Sequence, residues 1–223
     1  MDYSRLASRV APSLEFVKPA MSTHEGSGPP GSDDASSRID QIADAAARLF
    51  RRYGYKRSSM DDIAREAGLA KATLYLHFKG KDDVFRAMLR LLARRLEARS
   101  SEVLAQDGAF AERLSAMLQA LYAQAYASCG PGEHLAELKA MMACIAVAEL
   151  KAIEQLFVDQ LKALFLAAEA SGDIALSTSS VDLDELIASL TFAASGAKLG
   201  EPPSIDDYAR RLDRIAKIFA AVV

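Results

Sequence analysis

The amino-acid sequence predicts an all-α protein of about nine helices, and three observations support this prediction. Apolar residues recur at intervals of three and four along most of the chain, which is the spacing of an amphipathic helix. The interruptions contain glycine, proline and capping residues of the kind that begin and end helices. No stretch has the alternating pattern of a half-buried strand. Because 51% of the 223 residues are apolar, the chain can bury a substantial core.

Charge is distributed unevenly along the chain. The net charge of −3 divides into −2 for residues 1–37, +7 for residues 38–95 and −8 for residues 96–223. The middle block holds fourteen Lys and Arg against seven Asp and Glu. A basic block of this size is typical of a small DNA-binding unit, because Lys and Arg neutralise phosphates. A solvated run of charges without a partner is the alternative.

Composition excludes several classes of protein. Cys129 and Cys144 are too few and too far apart for a zinc site, which takes about four ligands, and they indicate reduced core thiols. No apolar run approaches the roughly 18 residues of a membrane span, and no apolar signal-peptide core precedes a small-residue cleavage site. The sequence therefore predicts a soluble, cytoplasmic protein with no cofactor, no metal and no membrane contact.

Residues 1–37 are predicted to be a disordered N-terminal tail. The segment MSTHEGSGPPGSDDASSR is rich in Ser, Gly, Pro and Asp. Such a composition cannot bury enough surface to offset the entropy of ordering. Met21 is an alternative first residue of the natural protein.

The first two helices are predicted from spacing and from their caps. Apolar residues follow helical spacing from Arg38 onward, and Gly54 is placed to end that helix in a left-handed conformation. Ser58 and Ser59 have aspartates three residues later, which predicts two overlapping capping boxes. The second helix would then end at Gly68 after two turns.

The third helix, residues 71–78, presents two different faces. Leu74 and Phe78 lie four residues apart and face the preceding helix. At 100° per residue, the residues that point away are Ala72, Thr73 and Leu76. An exposed leucine among polar and basic residues suits a major groove, where apolar groups meet thymine methyls. Two short helices joined by a glycine-containing turn, the second facing outward, match the helix-turn-helix geometry.

The remaining apolar pattern predicts a larger helical domain over residues 85–223. Its helices are expected at 81–103, 110–127, two within 133–171 that meet near 149–152, 182–199 and 204–222. Ser204 and Asp207 predict another capping box at the start of the last helix.

At this point the chain resembles a known family, the tetracycline-repressor-like (TetR) transcriptional regulators. The resemblance lies in RIDQIADAAARLFRRYGY and SSMDDIAREAGLAKATLYLHFKGKDDVF, and it covers Arg38 to Phe85. It implies an N-terminal three-helix DNA-binding domain over 38–84, followed by a helical ligand-binding and dimerisation domain over 85–223. It also implies a homodimeric repressor that a small, largely apolar ligand releases from a two-fold symmetric operator in double-stranded DNA.

The resemblance further implies roles for single residues. Ser59 would cap the second helix and contact phosphate, and Lys81 would bind phosphate at the start of the fourth helix. Tyr75 and His77 would contact the DNA backbone. The positions where the recognition helix would meet DNA are Lys71, Ala72, Thr73 and, by the spacing above, Leu76. Ala72 departs from the glycine that the family often has there.

Dimerisation and ligand binding are assigned to the second domain. One short recognition helix touches too few bases for selectivity, so two copies related by a two-fold axis are expected. The predicted dimer stripe of the last two helices is Leu183, Leu186, Ile187, Leu190, Ala194, Tyr208, Leu212, Ile215 and Phe219, although these residues could instead close the chain's own core. The predicted pocket residues are Tyr122, Tyr126, His134, Met141, Met142, Cys144, Phe157, Phe165 and Phe192, with Glu137 as a further polar anchor, and most of them could equally be ordinary core.

Two other classes of protein are alternatives to a DNA-binding regulator. An enzyme is not expected, because the three histidines do not form the Glu-x-x-His pairs of a di-iron bundle and no nucleophile elbow or phosphate loop occurs. The second alternative is a helix-turn-helix adaptor that binds protein or DNA without a small-molecule ligand. The +7 block disfavours an adaptor that binds protein alone.

Overall fold

The computed structural model describes residues 32–129, 134–176 and 182–223. Within these ranges the regular secondary structure is helical, with no β-strand. The helices are α1 (Ser32–Tyr53), α2 (Met60–Glu66), α3 (Lys71–His77), α4 (Lys81–Leu104), α5 (Phe110–Leu118), α6 (Gln124–Cys129), α7 (Leu135–Ile145), α8 (Val147–Ser171), α9 (Leu183–Gly196) and α10 (Ile205–Ala220). A π-helical segment, Gln119–Ala123, joins α5 to α6 without a break. The all-α prediction is confirmed. None of these helices is both long enough and apolar enough to cross a membrane.

Helix α1 begins at Ser32, six residues before the predicted start. The last part of the predicted tail, residues 32–37, therefore extends the helix. The inner face of α1, with Ile42 and Phe50, is fully buried, so the helix is already fixed by packing. Each further residue then adds a backbone hydrogen bond without a new nucleation cost. The rest of the predicted tail, residues 1–31, lies outside the described ranges.

We call α1–α3 the head. Its core contains Ile42 of α1, Ile63 of α2 and Leu74 of α3, all fully buried. The head continues into α4, where the Phe85 ring lies 5.8 Å from the Phe50 ring. Helix α4 runs through residues 84 and 85 without a break, and the division into domains at that position stays a prediction.

The connection between α1 and α2 is shaped by Gly54, which has a φ of +82°. Its N–H donates to the Phe50 carbonyl at 2.9 Å, which ends α1 as the sequence predicts. Ser58 is buried and its hydroxyl donates to the Gly54 carbonyl at 2.7 Å. Of the two expected capping boxes, only the one at Ser59 forms, because Ser58 is used to close this turn.

We call α4–α10 the body. Its centre holds fully buried Leu96 of α4 with Leu161 and Phe165 of α8, and the Phe165 ring meets Phe110 of α5 at 4.9 Å. Helices α7 and α8 are separate, as predicted, but they meet at Ala146 instead of residues 149–152. Ala146 is buried, and its φ of −134° and ψ of 38° break the helical path.

The last two helices are held to each other and to the rest of the body through buried tyrosines. The Tyr208 hydroxyl of α10 donates to the Ala194 carbonyl of α9 at 2.8 Å, and the Tyr126 hydroxyl of α6 donates to the Pro203 carbonyl at 3.0 Å. Ser204 caps α10 by accepting from the Asp207 N–H at 3.1 Å. These bonds fix α9 and α10 against α6 while satisfying buried polar groups.

Candidate functional site

Helix α3 is anchored on one face and open on the other. Leu74 is fully buried and Phe78 nearly so, whereas the Leu76 residue is 83% exposed and Tyr75 is 48% exposed. The other predicted contact residues of this helix are Lys71 and Ala72, both exposed, and Thr73 and His77, both half-buried. A leucine held this far into solvent adds nothing to the chain's own core. The open face is therefore available to a partner.

The turn before α3 holds the two short helices at a fixed angle. Gly68 has a φ of +68°, and the Leu69 N–H donates to the Ala64 carbonyl at 2.9 Å. At the other end of α2, the Asp62 N–H donates to the Ser59 hydroxyl at 3.2 Å, and the Ser59 N–H donates to the Asp62 carboxylate at 3.0 Å. The Ser59 bonds lower the pKa of Asp62. Ser59 is exposed, but its hydroxyl also donates to Asp62, so a phosphate there would compete with this carboxylate.

Lys71 lies at the first position of α3 and is paired within the head. Its ammonium is 2.8 Å from the Asp61 carboxylate, and the hydrogen bond to Asp61 raises the pKa of Lys71. Both side chains are more than half exposed, so solvent screens the pair and it contributes little to stability. Lys71 can therefore leave Asp61 for a phosphate or a base edge at small cost.

Lys81, in contrast, is tied into the head. Its ammonium donates to the carbonyls of Tyr55 and Ser58, each at 2.9 Å, and lies 4.3 Å from the centre of the Tyr55 ring. The Tyr55 hydroxyl is bonded to Asp82, and burial is the main cause that raises the pKa of Tyr55. An ammonium has three N–H donors, so one remains for a phosphate. The principal observed contacts of Lys81 nevertheless hold the α1–α2 connection in place.

Three further basic side chains surround this connection and α3. Lys56, Arg57 and Lys79 are exposed, and none of them forms an ion pair with another residue in the described ranges. The sequence shows that these side chains are basic, but only the tertiary structure shows that they have no acidic partner in the described ranges.

The head and the body are also joined by a contact that the sequence does not predict. The Lys56 N–H donates to the Glu137 carboxylate of α7 at 2.7 Å, and His134 lies 3.8 Å from the other oxygen of Glu137. This carboxylate fits against Gly54, where an added Cβ would overlap it. No local sequence signal pairs residues about eighty positions apart. Glu137, expected as a pocket anchor, instead contacts the head.

The residues predicted to line a pocket do not share one environment. Tyr122 and Phe157 pack edge to face at 4.7 Å, and Tyr126 packs in the same way against Tyr208 at 5.2 Å. Phe165 is in the centre of the body, while Phe192 is 77% exposed. Met142 is buried, His134 and Met141 are half-buried, and Cys144 is exposed. Most of the aromatic members are thus core, because their rings fill the space between helices.

The predicted dimer stripe is directed largely into the chain's own body. The buried members are Leu186, Ile187, Leu190, Ala194, Tyr208 and Leu212. Leu183, Ile215 and Phe219 are half-buried. The residues exposed on these helices include Phe192 and Ile218, the latter 64% exposed. The six buried members therefore follow the alternative given above, since α9 and α10 need their most apolar faces to close the body. For the three half-buried members the dimer contact stays a prediction.

The sequence of the head is similar to known bacterial regulators. Residues 42–88 match the family model of bacterial regulatory proteins of the tetR family. Among curated relatives, the chain is 31% identical over 78 residues to the fatty acid metabolism regulator protein of Bacillus subtilis, covering 35% of this chain and 40% of that protein. It is also 32% identical over 89 residues to the transcriptional regulator SrpR of Pseudomonas putida, covering 40% of this chain and 42% of that one. The chain thus matches about two fifths of the length of these relatives.

Solved structures extend the similarity of fold to most of the chain. A TetR/AcrR-family regulator from Thermobifida fusca covers 81% of this chain and 96% of its own, with a TM-score of 0.60 and 23% identity. SmeT, the repressor of the Stenotrophomonas maltophilia multidrug efflux pump SmeDEF, covers 84% of this chain and 91% of its own, with a TM-score of 0.59 and 17% identity.

The fold and the head together define a helix-turn-helix protein with a larger helical body. Residues 42–88 match the model of the tetR family of bacterial regulatory proteins, and most of the chain shares the fold of solved regulators of that family. The head is thus a tetR-family domain on a tetR-like fold.

Proposed function

We propose that this protein is a homodimeric transcriptional regulator that binds an operator in double-stranded DNA through α3 and acts as a repressor. The observation that supports it most directly is the exposed face of α3, where Leu76 is 83% exposed on a helix whose other face is buried. Thr73 and Lys71 flank this leucine at positions suited to base edges. Tyr75, His77 and Ser59 are assigned to the phosphate backbone, which positions a protein on DNA without reading sequence.

Charge supports the same proposal. Residues 38–95 have a net charge of +7, while residues 96–223 have −8. The exposed side chains of Lys56, Arg57 and Lys79 have no acidic partner in the described part of the chain, so they are free to neutralise phosphates. An acidic body would be repelled by DNA and would favour approach through the head.

The homodimer is assigned to the outer faces of α9 and α10. Phe192 and Ile218 are exposed there, whereas the inner faces are used within the chain. Two heads related by a two-fold axis would then read half-sites about 34–36 Å apart. A ligand that favours another spacing of the heads would release the operator, with a typical coupling of about 1–3 kcal/mol.

The salt dependence of operator binding tests the DNA-binding proposal. An operator is first selected from random duplexes or footprinted on DNA upstream of the protein's own gene. Affinity for this duplex and for a scrambled duplex is then measured at two salt concentrations. With six to ten phosphate contacts, affinity should fall by about 10³ to 10⁵ between 50 and 200 mM salt.

The scrambled duplex provides the control for sequence selectivity. We expect it to bind at least about a thousandfold more weakly than the operator. A purified protein that binds no duplex even at low salt would contradict the proposal and would favour an adaptor that binds protein alone. The proposal would also fail if binding showed no dependence on salt.

A further inference from the structure

A second basic surface lies outside α3, at the end of α1 and on the α1–α2 connection. Four cations and no acidic residue occur there in the sequence RRYGYKR. The side chains of Arg51, Arg52, Lys56 and Arg57 are exposed, and none of them forms an ion pair with another residue that the structure describes. Tyr53 between them is 46% exposed, and the Arg52 guanidinium lies 5.1 Å from the centre of its ring. We call these five residues the flank surface.

The end of a helix explains only part of this cluster. Arg51 and Arg52 lie in the last turn of α1, where the helix dipole favours a cation. Lys56 and Arg57 lie beyond the end of the helix, so the dipole does not account for them. Because like charges repel one another, an anionic partner would stabilise the whole cluster.

The acidic residues nearest to the flank surface are already paired. Tyr53 and Arg57 line a groove between α1 and α2 that also contains Asp62 and Glu66. Asp62 forms the capping box of α2, and Glu66 lies 2.8 Å from the Arg48 guanidinium. These carboxylates therefore do not neutralise the flank surface, which stays attractive to an anion.

The connection presents its cations from a backbone that is held in place. The Ser58 hydroxyl donates to the Gly54 carbonyl at 2.7 Å, and the Lys81 ammonium donates to the Ser58 carbonyl at 2.9 Å. The Lys56 N–H donates to the Glu137 carboxylate at 2.7 Å. Since this backbone is already fixed, a partner has to order only the side chains, which lowers the entropic cost of binding.

The flank surface lies on the side of α2 away from α3. In a helix-turn-helix on DNA, the second helix enters the major groove and the first crosses the sugar–phosphate backbone. These helices are α3 and α2 here, and the Asp61–Lys71 pair at 2.8 Å marks the side of α2 that meets α3. Glu66 is five residues further along and so about 140° around α2, where it shares the groove with Tyr53 and Arg57. A duplex held by α3 would therefore pass α2 and continue toward the end of α1.

We propose that the flank surface binds the sugar–phosphate backbone of operator DNA outside the half-site that α3 reads. This inference rests on the operator binding proposed above and adds a second contact to it. Arg side chains bind phosphate oxygens in pairs of hydrogen bonds, and the Tyr53 hydroxyl can donate one more. Such contacts position a protein without reading bases. The operator footprint is therefore longer than its two half-sites, and the flanking DNA adds affinity whatever its sequence.

The test compares two duplexes with the full-length protein. The core duplex ends at the outer edges of the two half-sites, and the flanked duplex continues by about one helical turn of arbitrary sequence on each side. We expect the flanked duplex to bind about tenfold more tightly at about 50 mM salt. The slope of log affinity against log salt should steepen by about 0.9 for each further phosphate that is contacted.

A pair of substitutions removes charge from the flank surface. Arg51→Gln with Arg52→Gln should abolish most of the gain that the flanks give. Arg99→Gln with Lys151→Gln is the matched control, because both are exposed cations without an ion pair in the described ranges, one on α4 and one on α8. It removes the same charge from the body, and its gain from the flanks should equal that of the unchanged protein.

Hydroxyl-radical footprinting of the flanked duplex locates the contact without relying on a variant. The unchanged protein and the control should protect the backbone outside the half-sites, and Arg51→Gln with Arg52→Gln should lose that protection. Equal affinity for the two duplexes, or equal loss of the gain in the two double variants, would overturn the inference. Sedimentation that shows a second dimer on the flanked duplex alone would also overturn it, because the gain would then come from contact between proteins.

The same measurements separate this inference from the proposed function. A protein that binds neither duplex contradicts the proposed function. A protein that binds the core duplex with the expected salt dependence, but gains nothing from the flanks and leaves them unprotected, contradicts only the flank surface.

Discussion

At the residue scale, Lys71 of α3 and Lys81 at the start of α4 show how neighbouring groups determine the role of a side chain. Lys71 is exposed and paired with Asp61 at 2.8 Å, a solvent-screened contact that costs little to break. Lys81 donates to two backbone carbonyls and covers the Tyr55 ring, so its charge is largely used to hold the α1–α2 connection. The residue type is the same, and the difference arises from what folding brings within reach of each ammonium group.

Gly54 carries the first residue-level prediction. Gly54→Ala should lower the free energy of unfolding by more than about 1 kcal/mol, because alanine is strained at a positive φ. The new Cβ would in addition overlap the Glu137 carboxylate. Urea unfolding followed by circular dichroism measures the loss.

The matched control for Gly54 is Gly68→Ala. Gly68 has a φ of +68°, but no other atom lies within 4 Å of an added Cβ, so that variant has the strain without the overlap. We expect Gly54→Ala to cost more than Gly68→Ala, and the double variant Gly54→Ala with Glu137→Ala to recover part of the difference. Equal losses of unfolding free energy in the two variants would show that overlap with Glu137 adds nothing to the cost of a side chain at position 54.

At the element scale, α3 combines a weak local signal with strong tertiary support. It has only seven residues, and Ala70 before it provides no side-chain cap. Its stability comes from Leu74 and Phe78, which are buried against the rest of the head. Because the inner face alone anchors the helix, its outer residues can change without loss of fold. This separation makes α3 a suitable element for mutation.

The outer residues of α3 should separate into two groups. Lys71→Ala and Thr73→Ala should alter the preferred base pairs, each changing discrimination by about 1–3 kcal/mol. Tyr75→Phe and Lys79→Ala should weaken binding to all duplexes alike, and Lys79→Ala should reduce the salt slope by about one. Binding to all single-base variants of the selected operator distinguishes the groups, and equal behaviour would refute these roles. Lys81 is left out because its replacement would also loosen the α1–α2 connection.

At the scale of the whole molecule, the head and body divide two tasks. The head presents the exposed outer face of α3 and basic side chains, while the body is acidic and closes its own core with the inner faces of α9 and α10. The outer faces of these helices keep Phe192 and Ile218 exposed. Exposed large apolar residues on neighbouring helices are typical of a surface that pairs with another molecule.

A charged residue on this outer surface should separate the proposed dimer. Phe192→Asp combined with Ile218→Asp would bury two carboxylates in the interface, which is costly without partners. Sedimentation velocity should then show a monomer, and operator affinity should fall at least about a thousandfold because one head loses its partner. Val147→Asp replaces an exposed apolar residue at the start of α8 and is the control. A double variant that still sediments as a dimer would place the interface elsewhere.

Much of the architecture could be predicted because it depends on local patterns. The apolar spacing, the cap at Ser59 and the turn at Gly54 each depend on residues close together in sequence, and each appears in the structure. The start of α1, the break at Ala146 and the use of Ser58 differ from prediction, because packing against distant residues decides them.

The sequence by itself determined the class of fold, the order of the helices and the outward face of α3, since helical periodicity sorts apolar from polar residues on each helix. Only the tertiary structure decided which apolar stripe meets which neighbour. In the folded chain, Leu190 and Tyr208 are buried within the body, and Lys81 donates to the α1–α2 connection. Glu137 lies against Gly54 and accepts from the Lys56 N–H. The physical reason is that burial and hydrogen bonding act between atoms close in space, whereas periodicity records only the direction in which a side chain points along its own helix.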